Sequence, residues 1–110
     1  MPVIELTQDN YQKEVLERAE PVLVDFTATW CGPCRLMAPI VEQLAEEFQG
    51  SVAVGKLDID QSAALAGQYG VMAVPTLIVF TGGEPALRQV GLTSKEALAA
   101  KVRQVVGAPK

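Results

Sequence analysis

The decisive stretch of the sequence is Val22–Phe48, which reads VLVDFTATWCGPCRLMAPIVEQLAEEF. Its first six residues are apolar on both faces apart from Asp25, a pattern typical of a central strand covered by helices on each side. Its second half repeats apolar residues at steps of three and four, which predicts a long amphipathic helix up to Gly50. These apolar residues are Met37, Ile40, Val41, Leu44 and Phe48. The two cysteines of the chain, Cys31 and Cys34, lie between the predicted strand and the predicted helix.

Further strands and helices alternate on either side of this stretch. Strands are predicted at Val3–Leu6, within 51–60 and at Thr76–Phe80, and a turn at Gly82-Gly83 returns the chain through 86–90 as an antiparallel edge hairpin. This alternation predicts an α/β fold with a mostly parallel sheet and helices on both faces. We expect a single domain over residues 1–110.

Three more helices are predicted from caps and apolar spacing. The first carries an apolar stripe ended by a proline, the second is short and begins at an aspartate cap, and the third begins with a capping box. The first helix carries Tyr11, Val15, Leu16 and Ala19 and ends before Pro21. The second runs from Asp60 to Tyr69, and the third runs from the capping box of Thr93 and Glu96 to Gly107.

The composition excludes several classes of function. The 110 residues include 9 basic and 13 acidic ones, a net charge of -4, which argues against a nucleic-acid partner. Residues 1–10 show neither a basic region nor an apolar run with a cleavage site, so we expect a cytoplasmic protein with no membrane segment. Histidine is absent, which removes Cys-His and Ser-His nucleophile pairs and most transition-metal sites. No metal and no organic cofactor is expected, and the cysteines remain as the main chemical resource.

The candidate site is Trp30-Cys31-Gly32-Pro33-Cys34, at the amino end of the predicted long helix. Unpaired backbone N–H groups and the helix dipole favour an anion at this position. We therefore expect Cys31 to be a thiolate near neutral pH and to attack disulfides. Cys34 is close enough in the first helical turn to resolve a mixed disulfide on Cys31.

Three other interpretations of the cysteine pair compete with redox activity: a structural disulfide, half of a zinc site, and an inert pair of buried thiols. A four-ligand zinc site needs two more Cys or His residues, which this chain lacks. A structural disulfide across so short a loop adds little stability and would be reduced in the cytosol. Redox activity is favoured, because a dithiol between a strand and a helix is a known signature of it.

Beyond the cysteines, nearly the whole chain resembles the thioredoxin family. The matching segments occur in the family's order and are Val24-Asp25-Phe26, Trp30 to Cys34, Ala38-Pro39, Lys56 to Asp60, Val74-Pro75-Thr76, Gly82-Gly83-Glu84 and Val90-Gly91. The resemblance implies a thioredoxin fold, with a central mixed five-stranded sheet flanked by four helices on both faces. It also implies a protein-disulfide reductase that a thioredoxin reductase regenerates, since Gly32-Pro33 is the dipeptide of the reducing members. We expect the protein to be a monomer.

Asp25 is the one charged residue in the predicted central strand, and a buried carboxylate is costly unless something pairs with it or uses it. One interpretation is a satisfied salt bridge to Lys56. The other is that burial raises the pKa of Asp25, so that the carboxylate accepts the proton of Cys34 as that thiol attacks the mixed disulfide. The resemblance supports the second interpretation, with Lys56 as the modulating charge.

The resemblance also implies a docking surface around the cysteines. From the sequence alone a trans Pro75 is expected, since Pro75 can simply start a strand. In the family, the matching proline is cis and faces the dithiol, and the backbone of Val74 would pair with an extended substrate. The remaining residues of this surface would be Trp30, Gly32, Pro33, Met72 and Gly91. For Met72 a place in the core is an equal alternative. Two residues depart from the common family pattern: Thr27, where many members carry a second tryptophan, and Met72, where a basic residue is common.

Two rival functions remain beside the reductase. One is a binding module that uses the same apolar surface as a subunit or chaperone, without thiol chemistry. The other is an oxidase or isomerase, against which both Gly32-Pro33 and the lack of a signal peptide argue.

Overall fold

The computed structural model describes residues 2–107. The strands are β1 (Val3–Leu6), β2 (Val22–Thr27), β3 (Ala53–Asp58), β4 (Thr76–Thr81) and β5 (Glu84–Val90). The helices are α1 (Gly32–Glu47), α2 (Ala63–Gln68) and α3 (Lys95–Val106), and a π-helical turn covers Gln12–Leu16. The predicted elements are therefore present in the predicted order.

The five strands form one sheet in the order β1-β3-β2-β4-β5. Strands β1 and β2 are parallel to β3, whereas β4 is antiparallel to β2, and β5 is antiparallel to β4. The mixed sheet implied by the resemblance and the predicted antiparallel hairpin of β4 and β5 are confirmed, whereas the mostly parallel sheet predicted from the alternation is wrong for β4, which is antiparallel to β2. After β3, the chain passes through the short helix α2 and enters β4 at the end of the sheet where β3 ends.

Helices cover both faces of the sheet, as expected. On one face, α1 and α3 pack against Leu23, Val54, Leu77 and neighbouring apolar side chains. On the other face, the π-helical turn and α2 pack against a second cluster that includes Phe26 and Ile78. Because strand side chains alternate between faces, Asp25 lies on the face that α1 covers.

The first predicted helix is shorter than its apolar stripe. Val15 is buried, but Leu16 and Ala19 are exposed, and only one π-helical turn forms. The Nε of Arg18 donates a hydrogen bond of 3.0 Å to the carbonyl oxygen of Glu14. That carbonyl is the acceptor which the backbone of a continuing helix would use, so the side chain ends the helix early.

Two helix caps lie away from their predicted positions. α2 begins after Ser62 rather than Asp60, and α3 begins after Ser94 rather than Thr93. The Ser94 Oγ accepts the backbone N–H of Ala97 at 3.1 Å, which is the usual N-cap interaction. Candidate caps that stand next to each other in a sequence cannot be ranked from residue type alone, and Asp60 is used for a different contact.

Gly55, in the middle of β3, tests the packing between β1 and β3. An added Cβ there would lie 2.6 Å from Cδ1 of Leu6. We therefore expect Gly55→Ala to lower the free energy of unfolding by about 1–3 kcal/mol through overpacking. The matched control is Gly67→Ala in α2, where an added Cβ meets nothing within 4 Å. This control should gain up to about 1 kcal/mol. Urea unfolding followed by circular dichroism measures both, and equal stabilities of the two variants would contradict the packing described.

Candidate functional site

The candidate site lies at the edge of the sheet where β2 ends and β4 begins. The register pairs Phe26 of β2 with Thr76 of β4, and Thr27 of β2 with Asp58 of β3. The loop after β2 leads to Cys31 and α1, so the start of that helix lies beside the residues that precede β4. Segments that are distant in the sequence therefore meet at the cysteines.

Cys31 is the N-cap residue of α1, and its side chain makes the capping interaction. The backbone N–H of Cys34 donates to the Sγ of Cys31 at 3.2 Å. The two cysteines form a disulfide, and their Cα atoms are 5.3 Å apart, a usual separation for such a bond. The Cys31 sulfur thus lies against unpaired N–H groups of the first helical turn, which favour negative charge.

Both cysteines are nearly enclosed by protein. Cys31 is 5% exposed and Cys34 is 3% exposed. With Ala28 they form a small buried cluster, against which Ile59 and Val74 pack. An incoming disulfide therefore reaches Cys31 only through its small exposed part.

Val74 lies directly beside the nucleophile predicted from the sequence. Its carbonyl oxygen is 3.6 Å from the Sγ of Cys31. The Val74–Pro75 peptide bond is cis, as the resemblance implied and against the expectation from sequence alone. The N–H of Gly91 donates to the carbonyl oxygen of Pro75 at 2.9 Å. The structure therefore brings Val74, Pro75 and Gly91 together next to Cys31.

Asp25 lies in β2 behind the disulfide and is only 4% exposed. Its Oδ1 is buried with no hydrogen-bond partner. A cavity of about 670 Å³ runs between β2, β3 and α1, and Asp25, Thr27, Cys34 and Lys56 form part of its wall. The predicted proton acceptor and the predicted resolving cysteine thus share one cavity, which Thr27 also lines.

Lys56 is the register partner of Asp25 on the neighbouring strand, and it is exposed. The ion pairs within residues 2–107 do not include a pair between these two side chains. The salt-bridge interpretation of Asp25 is therefore wrong. Burial raises the pKa of Asp25 from 3.8 to about 7, and the positive charge of Lys56 lowers it and so opposes that shift. The Asp25 carboxyl consequently titrates near neutral pH, where it can gain or lose a proton readily.

The predicted docking residues differ in their solvent exposure. Trp30 is 64% exposed and Met72 is 97% exposed, so the alternative that Met72 belongs to the core is wrong. Gly32 and Pro33 are also exposed. Pro75 is buried, so it shapes the surface from below rather than forming part of it.

Four further residues at or near this surface did not enter the sequence prediction. Leu36, Val90 and Leu92 are large exposed apolar side chains. Leu36 gave no usable signal, because it lies four residues before Ile40 and so fits the apolar spacing of α1, although it is exposed. Asp60, predicted as a helix cap, accepts a hydrogen bond of 2.8 Å from the Nε1 of Trp30. Nothing in the sequence could indicate a contact between residues so far apart.

Residues 2–107 lack two features that would point to other functions. No helix there is both long and apolar enough to cross a membrane. No group of three or more His, Cys, Asp or Glu side chains there is arranged to hold a metal ion.

Comparison with known proteins gives a consistent match. The thioredoxin family model matches residues 2–104 of this chain. A thioredoxin of Chlorobaculum thiosulfatiphilum is 40% identical over 103 residues, which cover 94% of this chain and 95% of the relative. A thioredoxin of Alicyclobacillus acidocaldarius subsp. acidocaldarius is 45% identical over 101 residues, covering 92% of this chain and 95% of the relative. A bifunctional thioredoxin reductase/thioredoxin of Mycobacterium leprae is 44% identical over 103 residues, covering 94% of this chain and 22% of that longer protein.

The unpaired carboxyl of Asp25 should make stability depend on pH. Its folded pKa of about 7 lies above the ordinary value of 3.8, so the folded state holds the proton more tightly than the unfolded state. Stability is therefore lost as pH rises from about 4 to about 7, and the full penalty remains above that range. Relative to the wild type, we expect Asp25→Ala to gain about 3–4 kcal/mol of unfolding free energy between pH 4 and pH 8.

Urea unfolding of the oxidised protein at a series of pH values measures this gain. The control is Glu84→Ala, which removes an exposed carboxylate at the opposite edge of the sheet. A stability difference between Asp25→Ala and wild type that stays constant with pH would contradict the raised pKa. An advantage of Asp25→Ala over the wild type that is smaller at pH 8 than at pH 4 would also contradict it.

Proposed function

The chain belongs to the thioredoxin family and is a thiol-disulfide oxidoreductase, and from that premise we propose that it reduces the disulfides of protein substrates through Cys31 and Cys34. The observation that carries the assignment of roles is the N–H of Cys34 directed at the Sγ of Cys31 at 3.2 Å. That hydrogen bond, at the start of a helix, stabilises a thiolate on Cys31 in preference to Cys34. Cys31 is therefore the nucleophile.

The reaction takes place in two exchanges. The Cys31 thiolate attacks one sulfur of the substrate disulfide, forming a mixed disulfide and releasing the other substrate sulfur as a thiolate. Cys34 then loses its proton and attacks the Cys31 sulfur, forming the Cys31–Cys34 disulfide and releasing the second substrate sulfur. Two electrons pass from the dithiol to the substrate, and the released thiolates take up two protons. The dithiol itself carries the electrons, so we propose no metal or organic cofactor.

Asp25 is the proposed acceptor of the Cys34 proton. Its position on the wall of the same cavity as Cys34 and its pKa of about 7 both support this role. The charge of Lys56 lowers that pKa and so limits the effect of burial. Lys56 would therefore keep Asp25 partly ionised at neutral pH, which is the form that accepts a proton.

Substrate docking is proposed on the surface around Cys31. The backbone of Val74, which precedes β4, is placed to pair with an extended segment that carries the substrate disulfide. Apolar contacts would come from the exposed side chains of Trp30, Pro33 and Met72. Gly32 and Gly91, which have no side chain, would let the substrate approach the backbone. Neighbouring apolar side chains at Leu36 and Leu92 extend this surface.

Regeneration of the dithiol is proposed to come from a thioredoxin reductase. The name of the Mycobacterium leprae relative places a thioredoxin reductase and a thioredoxin in one protein. We further propose a cytoplasmic monomer that forms one domain over residues 1–110 and has no nucleic-acid or membrane partner. A reducing compartment would maintain the dithiol that the reaction needs.

A second candidate function is a binding module that does not use the thiols. The exposed apolar side chains around the site support it, because such a patch can bind a partner in a larger assembly. Replacing the cysteines separates the two functions, since a surface role would survive their loss.

The test compares Cys31→Ser, Cys34→Ser and the double variant in the reduction of a small disulfide-bonded test protein. We expect the double variant and Cys31→Ser to lose at least about a thousand-fold in turnover, because the double variant has no thiol and Cys31→Ser keeps only the buried thiol of Cys34. Cys34→Ser should stop after the first exchange and accumulate a mixed disulfide through Cys31, which mass spectrometry detects. Retained reduction by the double variant would contradict the proposal, and retained partner binding without reduction would favour the binding module.

A further inference from the structure

Trp30 is the largest side chain on the docking surface, and most of it faces solvent. It belongs to the loop between β2 and α1 and immediately precedes Cys31. A large exposed side chain on a loop normally samples several rotamers, and a partner that binds it must then immobilise it at a cost in affinity. Whatever fixes Trp30 before binding removes that cost.

The structure contains such a restraint. The indole Nε1–H of Trp30 donates a hydrogen bond of 2.8 Å to Oδ2 of Asp60, across 30 residues of sequence. It connects the loop that carries the nucleophile to the turn that follows β3. Because the acceptor is a carboxylate, the bond is stronger than one between neutral groups.

Asp60 is itself held in place. Its backbone N–H donates to Oδ1 of Asp58 at 2.8 Å, and the N–H of Ser62 donates to the carbonyl oxygen of Asp58 at 2.9 Å. The N–H of Ile59 donates to the carbonyl oxygen of Thr27 at 2.9 Å, which fixes the turn to the end of β2. None of the ion pairs within residues 2–107 involves Asp60, so its carboxylate is not engaged by a cation there. The indole is therefore bound to an acceptor whose backbone is fixed by hydrogen bonds.

We propose that Asp60 is a positioning residue that holds the Trp30 indole beside Cys31 and thereby selects protein disulfides over small-molecule disulfides. A protein substrate presses against the indole when its disulfide reaches the nearly enclosed sulfur of Cys31. A small disulfide reaches the sulfur without covering Trp30, so its reduction does not depend on the restraint. This inference rests on the proposed reductase function and deepens it, because it concerns how substrates are chosen.

Kinetics with two substrates test the proposal. Asp60→Ala removes the acceptor, whereas Asp60→Asn keeps an acceptor oxygen and removes only the charge. Glu84→Ala is the matched control, since it removes an exposed carboxylate at the opposite edge of the sheet. For a disulfide-bonded test protein, we expect Asp60→Ala to raise KM about three- to tenfold with little change in kcat. Asp60→Asn should lie nearer the wild type, and Glu84→Ala should match it. All variants should reduce hydroxyethyl disulfide at the wild-type rate.

A spectroscopic readout separates positioning from a purely structural role. Trp30 is the only tryptophan in the chain, so tryptophan emission reports on this one indole. In the oxidised proteins, we expect Asp60→Ala to show faster decay of fluorescence anisotropy and stronger quenching by acrylamide than the wild type or Glu84→Ala. Circular dichroism and urea unfolding of the same samples identify any loss of fold.

The outcomes distinguish this inference from the proposed function. If the wild type reduces both substrates and Asp60→Ala has an unchanged KM for the protein, or loses both activities equally, the positioning role is overturned. Unchanged indole mobility in Asp60→Ala would overturn it as well. If the wild type reduces neither substrate, the proposed reductase function fails first, while the indole measurements still decide whether Asp60 restrains Trp30.

Discussion

The rest of the site depends on one hydrogen bond, from the backbone N–H of Cys34 to the sulfur of Cys31. It exists because β2 delivers the chain to the start of α1 with an extended residue at the N-cap position. An ordinary N-cap would use Ser, Thr, Asp or Asn to satisfy that N–H, whereas here a sulfur does so. A structural need of the helix and the chemical need for a thiolate are met by the same atom, which places the nucleophile at the end of the central strand.

Asp25 makes the central strand β2 less stable than an apolar residue at the same position would. Asp25 occupies a position where its apolar neighbours are fully buried, and no hydrogen bond satisfies its Oδ1. The cavity that Asp25 shares with Cys34 and Lys56 is also lined by exposed charged residues and is therefore open to solvent. A carboxyl that titrates near neutral pH beside a resolving thiol is useful for proton transfer, and the fold tolerates its cost because the two large apolar clusters around it stabilise the sheet.

The sequence predicted features that depend on local pattern and could not predict those set by distant contacts. The apolar run of β2, the spacing of α1 and the two-glycine turn before β5 each identify an element within a few residues. The antiparallel entry of β4 could not be predicted, because the direction of a strand in the sheet depends on its pairing with a strand distant in the sequence, here β2. At the site, Cys31 and Cys34 could be assigned from their spacing, and the cis Val74–Pro75 bond only from the family resemblance. The absence of an ion pair to Asp25 and the contact of Trp30 with Asp60 depend on side-chain placement across the sheet edge, which no local pattern encodes.

The most direct measurement of the central claim is the pH dependence of alkylation in the fully reduced protein, with each cysteine resolved by mass spectrometry. If the helix start stabilises a thiolate on Cys31, iodoacetamide should modify Cys31 with a midpoint well below the value of about 8.5 for an ordinary cysteine. Cys34 should remain unmodified over the same range. Alkylation of Cys31 with the midpoint of an ordinary cysteine, or preferential modification of Cys34, would contradict the stabilisation of Cys31 by the start of α1.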